Sequence, residues 1–126
     1  MTVLTEQAGC KTLSFSHAHT NKKLIERTQF ALSYSDLLVT ASKVDKDLLM
    51  FSDLSSITFS NRTIDGMDFF GSNMRDTIFN KMTFVECNFS ECLMVGTSMF
   101  DCVFHDCRFD EAFVYGVETV GCVFYG

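Results

Sequence analysis

Residues 84–109, FVECNFSECLMVGTSMFDCVFHDCRF, repeat themselves every five residues. Phe84, Phe89, Met94, Met99, Phe104 and Phe109 mark the step. Carried outward, it adds Leu54, Phe59, Ile64, Phe69, Met74 and Phe79 on one side and Val114, Thr119 and Phe124 on the other. Fourteen of these fifteen centres are apolar, in a chain that is 47% hydrophobic. A step of five matches neither the 3.6 of a helix nor the 2 of a strand. It belongs to a repeat architecture, which has to be recognised before single elements are assigned.

Two further columns keep the same step. Two residues before each centre stand Ser52, Ser72, Thr77, Cys87, Cys92, Thr97, Cys102, Cys107, Ala112 and Cys122, so five of the six cysteines share one mostly small column. Two residues after each centre stand Gly66, Gly71, Gly96, Gly116, Gly121 and Gly126, six of the seven glycines, with Asn61, Asp76, Glu86, Glu91, Asp101, Asp106 and Glu111 between them. The pattern is that of a chain bending every five residues. One large and one small side chain point inward per segment, and glycine or a polar residue takes the corner.

The stretches FVECNFSECL and MFDCVFHDCRFDEAF resemble the pentapeptide-repeat family, whose pattern is a small residue, a polar residue, a central Leu or Phe and two variable positions. The resemblance covers about residues 52–126 and implies an all-β fold, a right-handed quadrilateral parallel β-helix in which four pentapeptides close one coil. Fifteen pentapeptides then make just under four coils, about 18 Å tall at ~4.8 Å per coil. Phe69, Phe89 and Phe109 are expected in one internal stack. Ile57, Arg62, Met67 and Met82 interrupt the small column, which predicts distorted or widened first coils.

Residues 1–51 are expected to form an arm and cap, because a solenoid end shows bare core and unpaired strand edges. Tyr34, Val39, Val44 and Leu49 continue the apolar step and suggest a degenerate first coil from about residue 34. Ser35, Asp36 and Leu37 read as a repeat triplet in another register, with an insertion within 38–51. Asn21 followed by KKLIERTQFAL predicts a short capped helix. The Ser/Thr-rich MTVLTEQAGCKTLSFSHAHT reads as a flexible arm or secretion tag.

The chemistry-bearing residues point away from catalysis. No G-x-S-x-G, P-loop or HExxH pattern occurs, and no cofactor or metal is expected. Cysteines five or more apart lack the close pairing of zinc ligands, so Cys87, Cys92, Cys102, Cys107 and Cys122 are read as inward packing, reduced and unligated, in a reducing compartment. Cys102 points inward and His105 outward, which separates a nucleophile from its base. His17 and His19, with Cys10, are read as solvated rather than metal-binding.

The net charge of −6 argues against direct nucleic-acid binding. Residues 52–126 hold eleven acids and four bases, whereas residues 1–51 are nearly balanced. Glu86, Glu91, Asp106, Asp110 and Glu111 form an acidic face, with Glu86 beside Asp106 and Glu91 beside Glu111 at the corners. Outward apolar pairs follow from the same twenty-residue stacking: Leu93 with Phe113, Val95 with Tyr115 and Phe100 with Val120. Contiguous apolar surface of this kind marks contact with another protein.

The function expected is therefore a non-catalytic interaction module, cytoplasmic or delivered into a host cell by a type III system, as a bacterial effector or scaffold. No membrane span is expected. The resemblance also implies a second role, an acidic DNA mimic directed at DNA gyrase, but a rod of about 18 Å spans only about half a turn of duplex. C-terminal dimers occur in the family, and Val123, Phe124 and Tyr125 at the lower end suggest a homodimer contact.

Overall fold

The computed structural model describes residues 9–126. From Ser52 (the start of β3, Ser52–Asp53) the backbone runs through short straight segments joined by corners, and four segments return it to the face where it started. The second face stacks β4 (Thr58–Ser60), β6 (Ile78–Asn80), β9 (Ser98–Phe100) and β12 (Glu118–Val120). The third stacks β5 (Thr63–Asp65), β7 (Thr83–Val85), β10 (Val103–His105) and β13 (Val123–Tyr125). On the first face the bridges Asp53↔Asn73 and Asn73↔Leu93 lead into β8 (Leu93–Val95) and β11 (Phe113–Tyr115). The fourth is a ladder of bridges, Asp68↔Asn88 and Asn88↔Arg108. All these pairings are parallel and join residues twenty apart. Three faces of four rungs and one of three give fifteen rungs, the just under four coils of a quadrilateral parallel β-helix. No shift of register accompanies Ile57, Arg62, Met67 or Met82. The expected distortion is thus absent: Met67 and Met82 are fully buried, and Arg62 reaches out to Asp36 at 2.7 Å.

The corners explain the spacing physically. Every fifth residue from Phe51 to Gly126 has a positive φ, sixteen in succession. Ten of them are not glycine, and each such residue costs on the order of 1 kcal/mol of backbone strain. The ladder offsets it, because the corner N–H donates to the carbonyl nineteen residues on, as in Asn61 to Asn80, Glu86 to His105 and Asp106 to Tyr125, at 2.8–3.0 Å. At Gly121 a side chain is excluded twice over, by φ +67° and by the Asp101 carboxylate one coil above, which fills the place of a Cβ.

Inside, phenylalanine rings stack coil on coil. Phe69, Phe89 and Phe109 form one column with centroids 5.1 Å apart and planes within 15°, as the repeat predicts. Phe84, Phe104 and Phe124 form a second, at 5.4 and 4.8 Å. The two columns meet edge to face, for instance Phe84 against Phe89 at 5.1 Å. The small column does more than leave room. Its hydroxyls and thiols donate to the carbonyl twenty-three residues earlier: Ser72 to Leu49, Thr77 to Leu54, Cys92 to Phe69, Thr97 to Met74, Cys102 to Phe79, Cys107 to Phe84 and Cys122 to Met99. The lattice therefore selects small residues that also carry a donor.

The N-terminal region caps this stack, by means other than those the sequence suggests. Cys10–His17 is a strand, β1, and not a flexible arm; residues 1–8, the rest of the proposed tag, lie outside the described residues. Lys23–Phe30 is a second strand, β2, where a helix was expected; it pairs antiparallel with β1. In KKLIERTQF only Ile25 is fully buried, with exposed Lys23 and Arg27 on the same strand face, and the segment is held as a strand by its pairing with β1. β1 in turn pairs antiparallel with β3 through His17↔Ser52 and Ser16↔Asp53, covering the upper edge of the first face.

The helix lies one segment later. α1 (Tyr34–Val44) replaces the expected degenerate coil, and the Ser35–Asp36–Leu37 triplet is its first turn. Ser33 and Asp36 form a reciprocal capping box. Residues five apart on a helix diverge by about 140°, so Tyr34, Val39 and Val44 never share a face. Leu37, Leu38 and Ala41 do, and are fully buried over the first coil. Phe15 packs on Phe59 and Tyr34, at 6.0 and 5.8 Å. One hydrophobic core runs from this cap to Phe104.

Candidate interaction surfaces

The outward pairs fall where the lattice places them: Leu93 beside Phe113, Val95 beside Tyr115, and Phe100 beside Val120. Their exposure differs by coil. Leu93, Val95 and Phe100 are half-buried, whereas Phe113, Tyr115 and Val120 are 60%, 70% and 55% exposed. Val123, Phe124 and Tyr125 are exposed with them, and so is Val114, whose side chain takes an inward position. The cause is position in the stack: among the described residues no rung lies below the one that runs from Phe113 to Tyr125. Among the described residues, seven of the ten exposed large hydrophobic residues lie in 113–125. Between them a cavity of about 200 Å³ opens, lined by Phe104, Cys107, Phe109, Phe124, Tyr125 and Gly126. Val114 and this cavity are features the sequence reading missed, since the lattice assigns Val114 and Phe124 to the core.

The acidic residues border the fourth face. Glu86 above Asp106 and Glu91 above Glu111 are exposed corners on its two sides, all with positive φ. Asp110 is tied to Arg108 at 2.5 Å, and Asp106 lies 3.0 Å from His105 Nδ1. On this face Asp68 and Asn88 accept the backbone N–H two residues on, at 2.9 Å each. These side-chain turns explain why the face is a ladder of bridges.

The cysteines of the small column face the carbonyls of the coil above; among the described residues no three His, Cys, Asp or Glu side chains come together. Burial pushes the Cys92 thiol up to about 12 and Cys102 to about 11. Cys87 and Cys107, one coil apart, act on each other so that the Cys87 thiol is pushed up and the half-buried Cys107 thiol is pulled down. Cys102 is buried on the Phe79 carbonyl while His105 is exposed, so no nucleophile–base contact forms. His17 Nδ1 accepts the N–H groups of His19 and Thr20 and closes the hairpin turn.

No helix among the described residues is long and apolar enough to cross a membrane. Comparison with known protein families, with curated proteins and with solved structures finds no match.

Proposed function

We propose that the chain is a non-catalytic protein-interaction module of the pentapeptide-repeat type that works through its last coil, and that the surface it binds there is a second copy of itself. One observation carries this reading: the concentration of exposed apolar residues between Phe113 and Tyr125, larger and more continuous than the scattered apolar residues of ordinary surfaces. Two such ends related by a two-fold axis bury the same patch on both chains. Each end offers aromatic rings, Phe124 and Tyr125, and a cavity of about 200 Å³ for rings to enter. Strand edges that would otherwise stay open are covered at the same time. The joined rod would be twice as long, the geometry that a duplex-mimicking role would need.

Glu111 and Glu118 rim the same end, so two copies bring like charges together and association should tighten with salt. Light scattering after size exclusion tests the reading. The intact chain should elute as a dimer at tens of micromolar, more completely at high salt, and Phe124→Asp and Tyr125→Asp should be monomers. A monodisperse monomer for the intact chain overturns it.

A further inference from the structure

Among the described residues, the hairpin of the cap carries a second open edge, remote from the last coil. β2 is the outermost strand of its sheet, in the order β2-β1-β3. The phase of its pairing is fixed by the Ala31 N–H that donates to the Gly9 carbonyl at 2.7 Å and by the Thr12 and Thr28 hydroxyls, which meet at 2.7 Å as in a non-hydrogen-bonded pair. Ile25, Arg27 and Gln29 therefore exchange hydrogen bonds with β1, and Glu26 and Thr28 turn their main-chain groups outward; beyond Ile25 the register shifts. The Glu26 carbonyl confirms this, since its acceptor is used by the Arg27 side chain at 2.8 Å. Beside this edge runs an open groove of about 420 Å³ whose far wall is Val44, 57% exposed, and half-buried Leu48.

We propose that the outer edge of β2 is a strand-addition site for an extended segment of another protein, one that carries apolar residues toward Val44 and Leu48 and an acidic residue toward Arg27. Main-chain groups at Glu26 and Thr28 supply the affinity, and alternate side chains in the groove supply the selectivity. Charge sets the acidic preference. Lys23 is neutralised by Glu26 at 2.6 Å, while Arg27 has no carboxylate partner among the described residues. The incoming strand takes the Glu26 carbonyl and releases the guanidinium to its own acid. A second copy is disfavoured as the occupant, because the in-phase antiparallel register that uses the whole strand sets Glu26 opposite Glu26.

The probe is a random octapeptide phage library panned on the full chain, followed by titration calorimetry with one synthesised binder. Enriched peptides should alternate apolar and polar residues and contain Asp or Glu. Amide shifts on binding should centre on Glu26 and Thr28. Glu26→Pro removes an outward N–H that β1 does not use and should weaken binding at least tenfold. Arg27→Glu, which leaves the main chain intact, should switch selection to peptides with Lys. Failure to enrich, undiminished binding by Arg27→Glu, shifts centred on Phe113–Tyr125, or β2 shifts that grow with protein concentration alone would each overturn the proposal.

Discussion

Shortening the stacked phenylalanines to alanine one coil at a time should produce a graded loss of stability that reads out what covers the lower end. Phe89 is fully buried, stacked at 5.1 Å on both Phe69 and Phe109 and met edge-on by Phe84 at 5.1 Å and Phe104 at 5.9 Å. Removing it deletes a whole buried ring between two coils that cannot collapse, because the ladder holds them one strand spacing apart. Phe89→Ala should therefore cost about 3–5 kcal/mol. Phe124 stacks on Phe104 at 4.8 Å, yet 55% of its surface is open. Its loss leaves a notch rather than a cavity, so Phe124→Ala should cost about 1 kcal/mol in the isolated chain. Half-buried Phe109 should fall between. Urea denaturation followed by circular dichroism, at sub-micromolar protein and again at tens of micromolar, separates the terms. Self-association should raise the Phe124→Ala cost with concentration and leave that of Phe89→Ala unchanged. Equal costs for Phe89→Ala and Phe124→Ala at both concentrations would refute the reasoning, since the last ring would then be as buried as the central one in every state.

Ser90 Oγ is buried with no hydrogen-bond partner, so Ser90→Ala should raise stability by about 1 kcal/mol, visible as a melting point about 3 °C higher. Asp36 is held below its ordinary value of 3.8, first by the Arg62 guanidinium and then by the Ser33 hydroxyl. A depressed carboxyl contributes its stability above the unfolded value and loses it as pH falls through the folded one. Arg62→Met should accordingly lower the urea midpoint at pH 7, with the difference from the parent chain fading as pH falls below the ordinary carboxyl value of 3.8. Iodoacetamide at neutral pH should modify Cys107 in the folded chain and spare Cys92 and Cys102, as read by peptide mass mapping, while a chelator leaves the melting point unchanged. Alkylation of Cys92 at the rate of Cys107 would count against thiols held inside the coil.

The solenoid was legible because each of its constraints recurs. Every coil calls for four large centres, four small neighbours and four corners, and a sequence that repeats the step fifteen times shows them as columns even where Ile57, Arg62, Met67, Met82 and Thr119 depart from them. What the columns conceal is chemistry that serine, threonine and cysteine share. Thr97 and Cys92 look alike to a size criterion, but each donates to a carbonyl twenty-three residues back, and that bond depends on how coils stack. The cap left no such trace. Its strands and helix occur once each, so KKLIERTQF, with one buried residue and no alternation, offers nothing to set against a capping signal at Asn21. The stronger signal, Ser33 with Asp36 three residues on, was absorbed into a five-residue reading that Tyr34, Val39, Val44 and Leu49 imitate. Only Leu49 belongs to the lattice, its carbonyl accepting from Ser72 as the coil centres do.

The candidate surface shows a different limit. Leu93 and Phe113 hold the same lattice position, as do Val95 and Tyr115, and nothing in residue type separates the half-buried member of each pair from the exposed one. The difference is the presence of a rung on the far side, which shields Leu93 and leaves Phe113 open. Periodicity can thus say which side chains point outward but not which of them are uncovered, because coverage is a property of the stack. The same logic inverts the reading of the core column: Val114 and Phe124 are inward residues by phase and surface residues by rank. An apolar centre in the last described rung satisfies the repeat and stays exposed at once, so the residues that complete the lattice at this end are also the ones through which the proposed self-association would run. Polar substitution at Phe124 should then separate the two demands, abolishing association while most of the core above it stays intact.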